Sequence, residues 1–196
     1  LLNNLYKEVF GEDVGSESFE EQYKKSFVKN IKKLVKAERL SERLLSYDLD
    51  YLAENMVPSR DKLFKYLGIQ TLYDRYFIHL DEQRMETPQA FYMRVAMGLC
   101  LTEENKEDKA LEIYNMMSEF RYSPSTPTLF NSGTRRSQLS SCYLSTVGDS
   151  LDGIFGTLHG QSRLSKYAGG LGVDWSGVPG TGLYWTGLDW TGLRMR

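Results

Sequence analysis

Cys142 stands in "QLSSCYLSTVGDSLDGIF", residues 138–155, behind two serines on a strand-like run and ahead of an acidic turn that can start a helix. A thiol there has two readings: a small core residue, or a redox group given room by its small neighbours. The "STPT" upstream and the "AGGLG" downstream are turn-forming stretches whose backbone amides can hold phosphate oxygens. Residues 123–170 therefore point to an anionic substrate beside a redox cysteine. The plainer alternative makes Cys142 a buried residue and Asp149 a helix cap only.

The rest of the composition narrows the chemistry. Cys100 is the one other cysteine in the 196 residues, and His79 and His159 stand alone, so no metal-ligand spacing occurs and a disulfide framework is excluded. No metal site is expected, and a reducing, cytoplasmic setting is. The net charge of -2 gives no general reason for binding nucleic acid or a membrane surface. No run of about 18 apolar residues occurs, and the first residues, "LLNNLYKEVFGED", lack a signal-peptide pattern.

Helices must position these residues. Phe19, Tyr23, Phe27, Ile31, Leu34 and Val35 recur at helical spacing, with Ser18 and Glu21 in the form of a capping box. The Lys-rich outer face of that helix reads as a solvated surface. Short helices are expected in "SERLLSYDLDYLAENM" and "RDKLFKYLGIQTLYDRYFI", and a clearer one from Thr87, as cap, with Pro88 at its first position. Cys100 falls at the end of that helix as a core residue. A further helix spans about 104–120, with Leu111, Tyr114, Met117 and Phe120 on its apolar face.

The texture changes near residue 121, where "RYSPSTPTLFNSGTRRSQ" is rich in turn formers. Residues 140–147 alternate as a strand should, with Cys142 and Leu144 on one face and Tyr143 on the other. Asp149 reads as the N-cap of a helix to about Tyr167, its buried side formed by Leu151, Ile154, Phe155 and Leu158. Gly153, Gly156 and Gly160 weaken that helix and leave room for another to approach.

"STPTLFNSGTRRSQLSSCYLSTVGDSLDGIF", followed by "LSKYAGGLG", resembles the catalytic subunit of class I ribonucleotide reductase, most densely over residues 123–172. The resemblance implies an α/β fold: a helical N-terminal region over 1–120, then the start of a ten-stranded α/β barrel over 121–178, incomplete in this chain. It implies that Cys142 is the first redox cysteine and that Thr126, Ser141, Ala168 and Gly169 border the substrate. It places Asp149, with Ser150, Leu151 and Ser165, at the allosteric specificity site.

The same resemblance implies reduction of ribonucleoside diphosphates in deoxyribonucleotide biosynthesis for DNA replication. It also implies dNTP or ATP effectors, thioredoxin or glutaredoxin as reductant, a radical from a separate metal-containing small subunit, and a homo-oligomer. No covalently bound cofactor, nucleic acid or membrane partner is expected. The remaining part of the catalytic subunit is a required partner, because the second redox cysteine has no counterpart here.

Residues 179–196, "PGTGLYWTGLDWTGLRMR", depart from the family: Pro179 stands where an arginine is expected, and Thr-Gly-Leu repeats at 181, 186 and 191. The chain is accordingly expected to be silent alone, as a fragment or split component. The competing class is a noncatalytic helical interaction module or a relic of the reductase.

Overall fold

The computed structural model describes residues 1–11, 18–166 and 169–178. They fall into two compact units, Leu1–Leu139 and Ser140–Arg196. Residues 121–139, with their turn-rich texture, belong to the first of these, because their backbone is bonded into it: Ser41 N–H donates to the Gly133 carbonyl at 3.0 Å, and Leu40 bridges Thr134.

The first unit is helical. α1 (Leu2–Phe10) precedes α2 (Phe19–Lys36), and the expected capping box closes the start of α2: Ser18 Oγ accepts from Glu21 N–H at 3.3 Å, while the Glu21 carboxylate accepts from Ser18 N–H at 3.1 Å. Tyr23, Phe27, Ile31 and Leu34 bury one stripe of α2, and Lys25, Lys29, Lys32 and Lys36 stand exposed on the other side. Each such apolar side chain contributes about 1.5–3 kcal/mol on burial. Packing thus holds a helix whose outer lysines add little.

Two 3₁₀ turns, Glu42–Ser46 and Pro58–Leu63, flank α3 (Leu49–Glu54), and α4 (Tyr66–Arg75) follows. A small antiparallel hairpin, β1 (His79–Leu80) with β2 (Gln83–Arg84), comes next. Asp81 and Glu82 turn it with φ of 50° and 66°, both in the left-handed region that a two-residue hairpin requires. Glu8 fastens it, since its carbonyl accepts from the Gln83 side chain and its carboxylate accepts from Arg84 N–H.

α5 (Pro88–Leu99) is the buried centre of this unit, packed chiefly on α6 (Lys106–Ser118). Pro88 holds the first helical position as expected, but the Thr87 hydroxyl makes no cap bond. Cys100 is buried at the end of α5, as the sequence suggests. Phe120 departs from the expected apolar face of α6. It follows the helix with φ of 59°, half-exposed, and meets Phe64 edge-on at 4.8 Å, while Ala110, Tyr114 and Met117 form the buried side of α6.

The second unit is a strand, helix and strand. β3 (Cys142–Thr146) pairs in parallel with β4 (Gly170–Asp174), and α8 (Leu151–Lys166) connects them. A parallel pair needs such a crossover. The expected cap is corrected by one residue: Ser150 Oγ, not Asp149, accepts from Gly153 N–H at 3.0 Å. The expected buried side is corrected as well, since Leu151, Phe155 and Leu158 are all more than half exposed. One crossover helix on two strands leaves that face without a partner among the described residues.

A hydrogen-bonded chain links the helices around Asp61, which is fully buried. Its carboxylate accepts from Tyr6 at 2.8 Å, Tyr23 at 2.9 Å and Gln89 Nε2 at 2.8 Å, and Tyr114 donates to the Gln89 side-chain Oε1 at 2.9 Å. Burial raises the Asp61 carboxyl from 3.8 to about 6, against the opposing pull of these donors. The folded state then holds the proton more tightly than the unfolded one. The Asp61 contribution is full below pH 4 and is lost as pH rises through 6, an effect on the order of 3 kcal/mol. Asp61→Asn should flatten the decline in unfolding free energy between pH 4 and 7, measured by urea titration; an unchanged slope contradicts the assignment.

Candidate active site

The turn-rich segment forms α7 (Thr126–Asn131), with Pro127 in its first turn. Thr126 is exposed, its hydroxyl 3.2 Å from that of Tyr76. Behind it lies the fully buried Arg94 of α5. Its Nε donates to the Glu86 carboxylate at 2.8 Å, and one terminal nitrogen donates to the carbonyls of Leu129 at 3.1 Å and Ser132 at 2.8 Å. Ser132 Oγ in turn donates to the Val95 carbonyl at 2.7 Å. Arg94 thereby supplies donors to α7 carbonyls that the end of a short helix leaves unpaired.

Contact between α5 and this segment is closest at Gly98. A Cβ there would sit 2.1 Å from the Gly133 nitrogen and 2.3 Å from Ser132 Oγ. Glycine at 98 is what lets the backbone at 132–133 lie against the helix. Arg94, Gly98 and Tyr76 are absent from the sequence-based site. For Arg94 and Gly98 the signal was an arginine and a glycine inside the apolar run "FYMRVAMGLC".

In the second unit Cys142 opens β3, exposed, with Leu144 on its face and half-buried Tyr143 on the other, as the alternation predicts. Its register partner is Gly170, and Gly170 N–H donates to the Ser141 carbonyl at 3.1 Å. Added Cβ atoms at Gly169 and Gly170 would meet the Tyr143 ring at 2.7 Å and the Ser141 carbonyl at 2.8 Å. Small residues here therefore keep the strand ends close around the thiol. Ser141, Cys142 and Gly169 come together at one end of the parallel pair, and Ala168 lies outside the described residues.

Asp149, Ser150 and Leu151 lie together and exposed at the opposite end of β3, where α8 begins. Ser165 is near the other end of α8, about 21 Å along the helix from Leu151 at 1.5 Å per residue. Gly153 is needed by the turn itself, since a Cβ would meet the Gly148 carbonyl at 2.8 Å, whereas Gly156 and Gly160 face open space. Thr126 belongs to the first unit and Cys142 to the second.

The two thiols differ physically. Burial, with Glu103 nearby, pushes the Cys100 thiol up to about 11, so it stays protonated and enclosed. Cys142 is open to reagents. Among the described residues no group of three His, Cys, Asp or Glu is placed to hold a metal ion, and no helix is long and apolar enough to cross a membrane.

Two family models match this chain: ribonucleotide reductase, all-alpha domain, over residues 62–137, and ribonucleotide reductase, barrel domain, over residues 140–189. The chain belongs to the ribonucleotide reductase large-subunit family. The ribonucleoside-diphosphate reductase subunit alpha of Chlamydia muridarum is 59% identical over 132 residues, which take in 67% of this chain and 13% of that protein. The same subunit of Helicobacter pylori is 43% identical over 66% of this chain and 17% of its own length. The large subunit of Plasmodium falciparum is 43% identical over 63% of this chain and 15% of its own. The chain thus spans less than a fifth of the reductase subunits it matches.

The first model ends and the second begins around Leu139, where the two units divide. The chain accordingly carries reductase helical domain and the start of the reductase barrel, with an open two-stranded parallel pair among the described residues. The barrel match runs on to residue 189, past the last described residue.

The thiol contrast gives a direct expectation. A disulfide reagent that releases a coloured thiol should modify Cys142 within seconds to minutes, and Cys100 at least tenfold more slowly until denaturant is added. Cys142→Ser should remove the fast phase alone; a fast phase that survives contradicts the exposure of Cys142.

Proposed function

We propose that this chain is a component of a ribonucleoside-diphosphate reductase and that Cys142 is one of the two thiols that supply its electrons. One observation carries the reading: the exposed Cys142 thiol opens a strand whose parallel partner begins at Gly170, just after Gly169, so that small residues lie beside it. The balance of the step is simple. Two thiols give up two electrons and two protons and become a disulfide, while the ribose exchanges its 2′ hydroxyl for hydrogen and releases water.

Cys100 does not serve as the second thiol, because it is buried in the helical unit and protonated up to about pH 11. The second cysteine comes from the remainder of a catalytic subunit, and the chain by itself is silent. Thr126 and Ser141 take the substrate diphosphate and ribose side, with Ala168 and Gly169 as backbone borders. Asp149, with Ser150 and Leu151, accepts hydrogen bonds from the sugar of a dNTP or ATP effector, and Ser165 is a more distant contributor. A radical made on a separate metal-containing small subunit starts the chemistry, and thioredoxin or glutaredoxin reduces the disulfide. The setting is the cytoplasm.

The exposed Leu151, Phe155 and Leu158 on α8 suit docking of a second copy. The same face supports the second reading, a noncatalytic module that associates with an intact reductase. A chimera separates the two. Residues 62–178 replace the matching segment of the Chlamydia muridarum subunit alpha, and the chimera is assayed with its small subunit, a ribonucleoside diphosphate and an external dithiol. The enzyme reading expects turnover, and a loss of at least a thousandfold on Cys142→Ser. Turnover that persists in the Cys142→Ser chimera overturns the role given to this thiol, and a dead parent chimera with native folding favours the module.

A further inference from the structure

A cavity of about 950 Å³ opens in the helical unit, between the end of α2, the end of α4 with the hairpin behind it, and the residues after α7. Its size falls in the range of small-molecule sites. It involves neither Thr126 nor any described residue of the second unit. Five arginines line it against two carboxylates. A concave wall so rich in one sign concentrates counter-ions of the other.

The carboxylates are already engaged. Glu38 pairs with Arg135, and Asp74 accepts from Gln70 Nε2 at 2.7 Å. Arg84 is also fixed, its guanidinium 4.3 Å from the centre of the Tyr73 ring and its Nε donating to the Tyr73 carbonyl at 3.2 Å. The side chains of Arg39, Arg75 and Arg136 have no hydrogen-bond or ion-pair partner among the described residues, and all three residues are exposed. All three line the same cavity, where an anion would offset their like charge.

The walls are tied together by backbone, so the arrangement is not a chance meeting of long side chains. Arg135 N–H donates to the Arg39 carbonyl at 3.3 Å, beside the bridge between Leu40 and Thr134. Tyr76 and Phe130, stacked at 4.6 Å, form an aromatic side. Glu38, with φ of 56°, turns the chain out of α2 and brings Arg39 to the opening.

We propose that this cavity binds a small molecule bearing two or more phosphates, held by Arg39, Arg75 and Arg136. Guanidinium groups suit that ligand because each donates paired N–H groups to phosphate oxygens. The proposal does not rest on the reductase reading, since it uses residues on the cavity wall alone.

Calorimetric titration of the 196-residue chain with inorganic tripolyphosphate tests it. The parent chain should bind, and R75E/R136E should weaken binding at least tenfold. K29E/K32E, the same change of charge on the exposed side of α2, should stay within twofold of the parent. Circular dichroism melting identifies any variant that fails to fold, and R75Q/R136Q then replaces it, with at least a fivefold loss expected. ATP titrated in parallel separates the sources of the phosphates. Affinity for ATP that falls with Arg75 and Arg136 assigns the cavity to nucleotides, while tripolyphosphate binding alone assigns it to bare polyphosphates. Absence of tripolyphosphate binding to the parent, or equal losses in R75E/R136E and K29E/K32E, overturns the proposal.

Discussion

The buried pairing of Arg94 with Glu86 is the interaction on which the helical unit and its site segment both depend. A guanidinium with no exposed surface is costly to desolvate, and the cost is offset only when its donors all find acceptors. Here Glu86 takes two of them, at 2.8 and 3.2 Å, and main-chain carbonyls of Leu129 and Ser132 take those of the other terminal nitrogen. The Glu86 carboxylate also accepts from Ile78 N–H at 2.8 Å, which brings the hairpin approach into the same network. One side chain thus ties α5 to two segments distant in sequence. Gly98 allows the second of these to lie close, and Ser132 adds its hydroxyl to the α5 backbone.

The βαβ unit is organised on a different principle. Parallel strands are ordinarily covered on both faces, and a two-stranded pair with one helix cannot cover itself. Leu144 at 83% exposure and the open face of α8 are the consequence. Glycines at 169, 170 and 172 are spent on close approach between β3 and β4, so pairing geometry around Cys142 is set by backbone rather than by a core. Such an arrangement fits the start of a reductase barrel domain, the family whose model this segment matches.

Much of this was legible in the sequence, and the misses share a cause. The α2 stripe, the Pro88 start of α5, the buried Cys100 and the alternation of β3 follow from periodicity and local chemistry, and the structure has them. The hairpin at 79–84 carried no Asn-Gly or Gly signal; Asp81 and Glu82 adopt left-handed angles because Glu8 and Tyr73 hold the flanking strands. Nothing local in the sequence marks Asp61 or Arg94 as interior, and only long-range partners make them so. The cap shifted from Asp149 to Ser150 because either side chain can fill that role and spacing cannot choose between adjacent residues. The apolar side of α8 was read correctly as a stripe but wrongly as buried. A sequence stripe reports that a partner is wanted, not that these residues supply it.

Amide hydrogen exchange on Arg94→Lys tests most directly whether the Arg94 fork holds the site segment in place. Lysine keeps the charge against Glu86 and loses the planar fork that reaches both Glu86 and the carbonyls. Exchange should rise at least tenfold over residues 126–134 while residues 19–36 of α2 stay as protected as in the parent chain. Unchanged protection over 126–134, or an equal rise across both segments, contradicts the account.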